Sequence, residues 1–359
     1  MRLTTANRSK ITQITGAKIM LIDWVTVRVN LEHCSEQVRA AALALGDRIC
    51  RYCPTSGEIR YESQAWDSIR SDSHQVSIRC TGDLWIQGSP ARLMGDGCAV
   101  FGSGASRALD LVGCVNRMTQ FVQDYLGAGQ LPAIDLWKVT RVDVTGNLKL
   151  KDLGAVREAL SILRNCEGGR YRVSQQQGDT VYWSHSSKHR SGKAYAKGPH
   201  LAHMMKKPDY TGRSYTPQEL SDASQLLRLE LSLKREFFAR CDDWKALTPA
   251  DLKAEWDSYF ERMIGGAEVS TEHDLKKRIL EAAPTEGQGR AAWGLWCIIK
   301  AQGWEAAREC SSRPTWYRNL KILRAAGLGD ADISAGNVVA LRKRIIDAQM
   351  VNDWSQIAA

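Results

Sequence analysis

Up to about Arg240 the chain alternates short segments whose apolar residues recur at every second position with a few stretches of helical spacing; beyond it, helical spacing dominates. Met20-Leu-Ile-Asp-Trp-Val-Thr-Val-Arg-Val29 predicts a first strand. Val76–Cys80 and Leu84–Gln87, joined through Thr81-Gly-Asp83, predict a β-hairpin. Leu109, Val112, Val115, Met118 and Val122 repeat at helical spacing and predict a helix over 107–126 that stops at Gly127. A second helix is expected over 153–163. Met204 to Ser221 holds Lys-Lys-Pro, Thr-Gly and Thr-Pro and reads as a loop. Thr248-Pro-Ala-Asp-Leu starts another helix, a cap followed by proline at the first helical position, running to about Ile264. The expected fold class is α+β: an antiparallel sheet with packed helices over 20–240, then a mostly helical region over 241–359, with the boundary near 241–247. Residues 1–19 read as a flexible extension, and translation could start at Met1 or Met20.

Two strands carry a carboxylate on a polar face. In Thr140-Arg-Val-Asp-Val-Thr145, alternation puts Arg141, Asp143 and Thr145 on one face and Val142 and Val144 on the other. Leu227-Arg-Leu-Glu-Leu-Ser-Leu233 repeats the pattern, with Arg228, Glu230 and Ser232 opposite four leucines. Between them lies Asp179–Gly198, which reads as a hairpin holding Tyr182 and, in Lys193-Ala-Tyr-Ala-Lys197, Tyr195. On a strand Lys193 and Lys197 would share the face of Tyr195. A tyrosine beside lysine and near two carboxylates suits metal-assisted phosphodiester transfer through a covalent phosphotyrosine: the phenol attacks phosphorus, and a divalent cation on hard oxygen ligands stabilises the developing charge. The same residues also suit a plain sheet, with Tyr195 a sheet residue and the carboxylates paired to Arg141 and Arg228.

Charge and composition narrow the classes. With 359 residues the chain is long enough for two cores, and its formal net charge of +9 favours a polyanionic partner such as nucleic acid. The 10 cysteines form no tight framework and read as reduced thiols; Cys50-Arg-Tyr-Cys53 lacks a second pair at zinc-ribbon spacing. No apolar run reaches the roughly 18 residues of a membrane span, so no membrane partner is expected. A phosphate-cradling glycine loop and a His-hydrophobe-His triplet are both absent from the sequence. His200 and His203 have a spacing that would suit metal ligands, but they read as exposed loop residues.

Trp304 to Gly327 reads as helix, turn, helix. Ser312 is the expected cap of the second helix, Pro314 lies early in it, and Trp316, Leu320 and Leu323 form its apolar face, leaving Arg318, Lys321 and Arg324 elsewhere. A recognition helix for a DNA groove is built this way, and so is a helical hairpin with a solvated basic face.

Several segments together resemble the replication initiators of filamentous phages, the gene II protein type. They are Met20-Leu-Ile-Asp-Trp, Gly88-Ser-Pro-Ala-Arg92 with Val100-Phe-Gly102, Arg141-Val-Asp-Val-Thr145, Thr180-Val-Tyr-Trp, Ser187-Lys-His-Arg190, Ala194-Tyr-Ala-Lys197, Leu227-Arg-Leu-Glu230 and Arg313-Pro-Thr-Trp-Tyr-Arg318, in that order. The chain departs from the family's Gln-Gly-His-Asn element, where it has Gly95-Asp-Gly-Cys98. The resemblance implies rolling-circle initiation: nicking of the plus strand of supercoiled double-stranded phage DNA at its origin, a 3′-hydroxyl left for a host polymerase while a host helicase unwinds, and rejoining of the displaced single strand, in the host bacterial cytoplasm. It implies Tyr195 as nucleophile rather than Tyr182, Lys197 stabilising phosphoryl charge, and Asp143 and Glu230 binding Mg2+ or Mn2+. Arg141, Arg228 and Lys193 are expected at phosphate or orienting the carboxylates, and Arg313, Arg318 and Lys321 on origin DNA. A DNA-binding regulator without catalysis and a nuclease using activated water are the competing classes.

Overall fold

The computed structural model describes residues 21–70, 75–94, 98–101, 110–164, 173, 178–208, 210, 212–264, 272–335 and 350–358. The expected extension over 1–19 and most of the Gly95–Cys98 departure lie outside them. Ten strands are present among these residues: β1 Leu21–Asn30, β2 Arg48–Tyr52, β3 Ile59–Gln64, β4 Asp67–Arg70, β5 Gln75–Thr81, β6 Asp83–Gly88, β7 Lys138–Lys149, β8 Thr180–Trp183, β9 Arg190–Ala196 and β10 Leu226–Leu233. Eight form one sheet in the order β4-β5-β6-β1-β7-β10-β9-β8, and β2 with β3 forms a separate ribbon. Every ladder is antiparallel. The fold class is α+β.

Alternation gives the sheet two unlike faces. Val25, Val27, Ile78, Ile86, Val142, Val144, Leu229 and Leu231 point to one face and are buried. That face is covered by α1 Glu36–Ala44, α3 Leu111–Leu126, α4 Leu153–Arg164 and α8 Pro249–Ile264, whose apolar stripes join the same core. The approach of α8 is close: a Cβ on Gly192 of β9 would lie 2.5 Å from the Tyr259 ring, so the helix seats where the strand has no side chain. Trp256 Nε1 donates to the Leu229 carbonyl at 3.3 Å, fastening α8 to β10. The expected boundary at 241–247 thus falls ahead of a helix that belongs to the sheet's core.

The opposite face is polar. Its end near Asn147 is closed by α5 Lys197–Met205 and α6 Pro217–Ala223, with Cys98, Val100, Leu201, Leu226, Val351 and Ile357 in a small core of their own, while α2 Pro90–Met94 buries Ala91 and Leu93 in the main core. The last residues return to β7, where the Val351 amide donates to the Asn147 carbonyl at 2.9 Å.

Part of the span read as a loop, Met204 to Ser221, is helical. The Thr216 side chain accepts from the Glu219 amide and Glu219 accepts from the Thr216 amide, with proline in the first turn, so Thr-Pro starts α6 rather than breaking the chain. After a four-residue helix, α7 Arg235–Phe238, and then α8, a second core gathers α9 Glu272–Ala282, α10 Glu286–Gln302, α11 Trp304–Glu309, α12 Arg313–Ala325 and α13 Asp330–Ala335.

Candidate active site

The expected hairpin forms as β8 and β9, and its register sets the site. Tyr195 pairs with Arg228, and Lys193 with Glu230. On the other side of β10, Glu230 pairs with Thr145 and Ser232 with Asp143. Tyr195, Lys193, Glu230, Arg228, Asp143 and Asn147 therefore share the polar face of three adjacent strands.

The Tyr195 hydroxyl donates to Glu230 Oε1 at 2.6 Å. Glu230 Oε2 lies 3.6 Å from the Lys193 ammonium, which sits 4.0 Å from the centre of the Tyr195 ring. Tyr195 is only 2% exposed. Burial, and then the negative charge of Glu230, hold its phenol well above the ordinary range. At rest Tyr195 is therefore a hydrogen-bonded neutral phenol, with the Glu230 carboxylate placed to accept its proton.

Lys197 is placed differently from the expectation. It opens α5 instead of continuing β9, yet its ammonium stays 5.7 Å from the Tyr195 ring. It is fully buried, and burial followed by repulsion from Arg228 holds its pKa well below the usual lysine value. Arg228 is buried as well. Its guanidinium is committed to Asn147 Oδ1 at 2.8 Å, to Asp23 Oδ2 at 3.4 Å, and to the carbonyls of Ala99 and Val100. Of the two expected roles, phosphate contact or orienting carboxylates, its buried side chain is arranged for the second, against Asp23 and beside Tyr195. Arg141, with 46% of its side chain exposed, holds Asp143 through two bonds of 2.9 and 2.6 Å and so orients a carboxylate. Burial raises the Asp143 carboxyl even so.

Three participants escaped sequence reasoning. Asp23 is the extra residue of a β-bulge between Ile22 and Trp24, which turns it toward Arg228. Burial works to raise its carboxyl, but Arg228, Lys197, Arg92 and Lys193 together outweigh that and leave it low. An aspartate inside an apolar strand was the available signal. Asn147 anchors Arg228. His200, read as an exposed loop residue, lies on α5 with its ring 4.8 Å from that of Tyr195; burial and the neighbouring cations lower its pKa to about 3, so it is neutral. Tyr182, the competing candidate in the sequence, lies 5.7 Å from the Lys193 ammonium, its ring edge-on to His185.

Asp143 and Glu230 offer hard oxygens on one face of neighbouring strands, and the buried Thr145 hydroxyl opposite Glu230 has no hydrogen-bond partner among the described residues. This donor chemistry suits Mg2+ or Mn2+. No group of three potential ligands is gathered among the described residues.

In the second core, Trp316, Leu320 and Leu323 of α12 are buried as expected, and Trp304 of α11 packs edge-on to Trp316 at 4.8 Å. Arg313, Arg318 and Lys321 are exposed beside Tyr317, whereas Arg324 is turned to Asp330 at 2.7 Å.

Comparison with known proteins decides the family: the model describing the N-terminal part of the phage replication-associated protein, the gene II protein, matches residues 21–258. The chain belongs to the gene II family of replication-associated proteins. It is 26% identical to the gene II replication-associated protein of Enterobacteria phage M13 over 168 residues, 42% of this chain and 40% of that one. It is 23% identical to the corresponding protein of Salmonella phage IKe over 328 residues, 76% of this chain and 73% of that one. The region matched by the family takes in β1 through most of α8, including every residue of the tyrosine site. A solved rolling circle replication initiator protein from Geobacillus stearothermophilus is also similar, with a TM-score of 0.31 and 13% identity over 71% of this chain and 89% of that one.

Proposed function

We propose that this protein initiates rolling-circle replication by nicking phage origin DNA with Tyr195, leaving a 3′-hydroxyl for a host polymerase, and later rejoining the displaced strand. The observation that carries the proposal is the Tyr195–Glu230 hydrogen bond of 2.6 Å beneath the Lys193 ammonium, in a chain of the gene II family. The phenol oxygen attacks phosphorus as its proton passes to Glu230 Oε1. The phosphorus–oxygen bond to the 3′ side breaks, and that oxygen takes a proton to become the free hydroxyl. The 5′ phosphoryl group stays on Tyr195, so the bond energy is kept for rejoining. Lys193 and Lys197 stabilise charge on the phenolate and the phosphoryl oxygens.

Asp143, oriented by Arg141, and Glu230 are the residues that would hold Mg2+ or Mn2+, which when bound supplies charge neutralisation at the phosphoryl group. The exposed cations of α12, Arg313, Arg318 and Lys321, are assigned to duplex origin DNA. No described helix is long and apolar enough to cross a membrane, and the proposed place of action is the host bacterial cytoplasm, beside a host helicase.

The test incubates the protein with supercoiled origin plasmid and Mg2+ or Mn2+, looking for relaxed DNA and a covalent protein–DNA adduct. Tyr195→Phe should lose both. Nicking that survives in Tyr195→Phe would move the nucleophile to Tyr182 or to water, and tight origin binding without any nicking would favour a regulator.

A further inference from the structure

Beyond the tyrosine, the polar face of the sheet carries a second arrangement that the nicking chemistry does not use. Strand register places Arg79 opposite Trp85, Trp85 opposite Arg28, and Arg28 opposite Lys138, so one straight rung crosses β5, β6, β1 and β7. The Arg79 guanidinium lies 4.6 Å from the ring centre of Trp66, just ahead of β4, and 5.4 Å from that of Trp85. Arg28 approaches Trp85 from its other neighbour, at 5.3 Å. All four of these residues are half-buried and Lys138 is exposed. At the Lys138 end the rung opens into a cavity of about 210 Å³ lined by Arg28, Asn30, His33, Asp83, Leu136 and Lys138.

A row of cation–π contacts can simply brace a sheet. Three features argue that this one does more. It carries three cations and one carboxylate, Asp83, which pairs with Arg28. The Nε atoms of Arg28 and Arg79 have no hydrogen-bond acceptor among the described residues. The rung also lies on the same face as the nucleophile: the next rung holds Thr26 opposite Arg141, and the one after it Trp24 opposite Asp143. Four residues along β1 separate Arg28 from Trp24, about 13 Å at the usual rise of a strand.

We infer that the Trp66–Arg79–Trp85–Arg28–Lys138 rung is a binding track for single-stranded DNA running from the cleavage site. Indole rings and guanidinium planes offer surfaces on which unpaired bases stack, and Lys138 with the adjoining cavity offers cations to the phosphates between them. A duplex keeps its base faces covered and could use only the charge. The inference rests on the proposed nicking function for the source of the strand, while binding by the rung is measured apart from cleavage.

The test measures binding of a labelled 20-mer oligothymidylate and of a 20-base-pair duplex by fluorescence anisotropy, without divalent metal, so that cleavage plays no part. Trp85→Ala should weaken oligothymidylate binding about tenfold and duplex binding less than twofold, at the scale of one lost stacking contact. Arg79→Gln, which keeps the strand's bulk, should weaken the single strand severalfold and serves should Trp85→Ala fail to fold. Trp85→Phe, which retains a ring, should recover most of the affinity. Equal losses for both DNAs would make the rung a general charge patch and overturn the inference, as would unchanged binding in folded Trp85→Ala and Arg79→Gln proteins. Nicking by the same preparations is scored separately: a wild-type protein that holds the oligothymidylate through the rung yet never nicks would refute the catalytic reading and leave the track standing.

Discussion

Replacing Glu230 by glutamine separates two tasks that one carboxylate is asked to perform. The amide keeps the size of the side chain and an oxygen that accepts from the Tyr195 hydroxyl, now 2.6 Å away, but it cannot take the proton. A positioned general base contributes about 10²- to 10⁴-fold to rate, which is about 2.7 to 5.4 kcal/mol of barrier. Loss of the Glu230 charge also removes one cause of the raised Tyr195 phenol, while burial, the larger cause, persists. The phenol therefore stays above its ordinary value. Single-turnover nicking of a single-stranded origin oligonucleotide, followed as adduct on a denaturing gel from pH 6.5 to 9.5, should show a slow Glu230→Gln enzyme whose rate climbs about tenfold per pH unit, because hydroxide now removes the proton. Wild type should change far less over that range. A Glu230→Gln enzyme with a flat profile, restored instead by more Mn2+, would refute the proton-transfer role and leave Glu230 as a metal ligand alone.

Three other outcomes follow from the packing. Lys197→Met should abolish efficient nicking, and it removes a buried cation held close to Arg228. Because the folded pKa of Lys197 lies below its unfolded value, wild-type stability should rise with pH between the two, and thermal melts should show that rise diminished in Lys197→Met. Gly192→Ala should cost about 1–3 kcal/mol in a denaturant titration, as its Cβ would press on Tyr259 at 2.5 Å. Arg318→Ala should weaken duplex-origin binding severalfold in a filter-binding assay while cleavage of a single-stranded site stays close to wild type; equal loss of both would undo the division between α12 and the sheet.

The parts of this fold that are legible in sequence are those written in short-range periodicity. The two carboxylate strands declare their faces within seven residues each, and β9 with its tyrosine and β8 reads as a hairpin because the chain turns back at once. Helices α3, α8 and α12 show their stripes or caps in the same local way. What stays hidden depends on partners far along the chain. Asp23 becomes a site residue only through a bulge against β7, and nothing in Ile22-Asp-Trp24 specifies which strand will force it. Arg228 looks like a surface cation on a polar face until Asn147, Asp23 and two carbonyls enclose it. His200 reads as a loop residue until α5 folds it against Tyr195. The Thr-Pro at the start of α6 is a different case: its capping partner Glu219 stands three residues on, so the helix start is local, and the proline marks a beginning rather than a break.

The return of the chain end to β7 changes how the helical unit can behave. Helices α9 to α13 follow the sheet core in sequence and the chain rejoins that core at Met350, so they form a unit tied at both ends to the sheet instead of a trailing tail. The outgoing connection has seven residues, 265–271, and even fully stretched it could not carry Glu272 more than about 30 Å from Ile264. Under the proposed assignment of α12 to duplex DNA, both ties keep the bound duplex beside the sheet that carries Tyr195. On the proposed function, such a double tie would bound the distance between the place that is recognised and the bond that is cut.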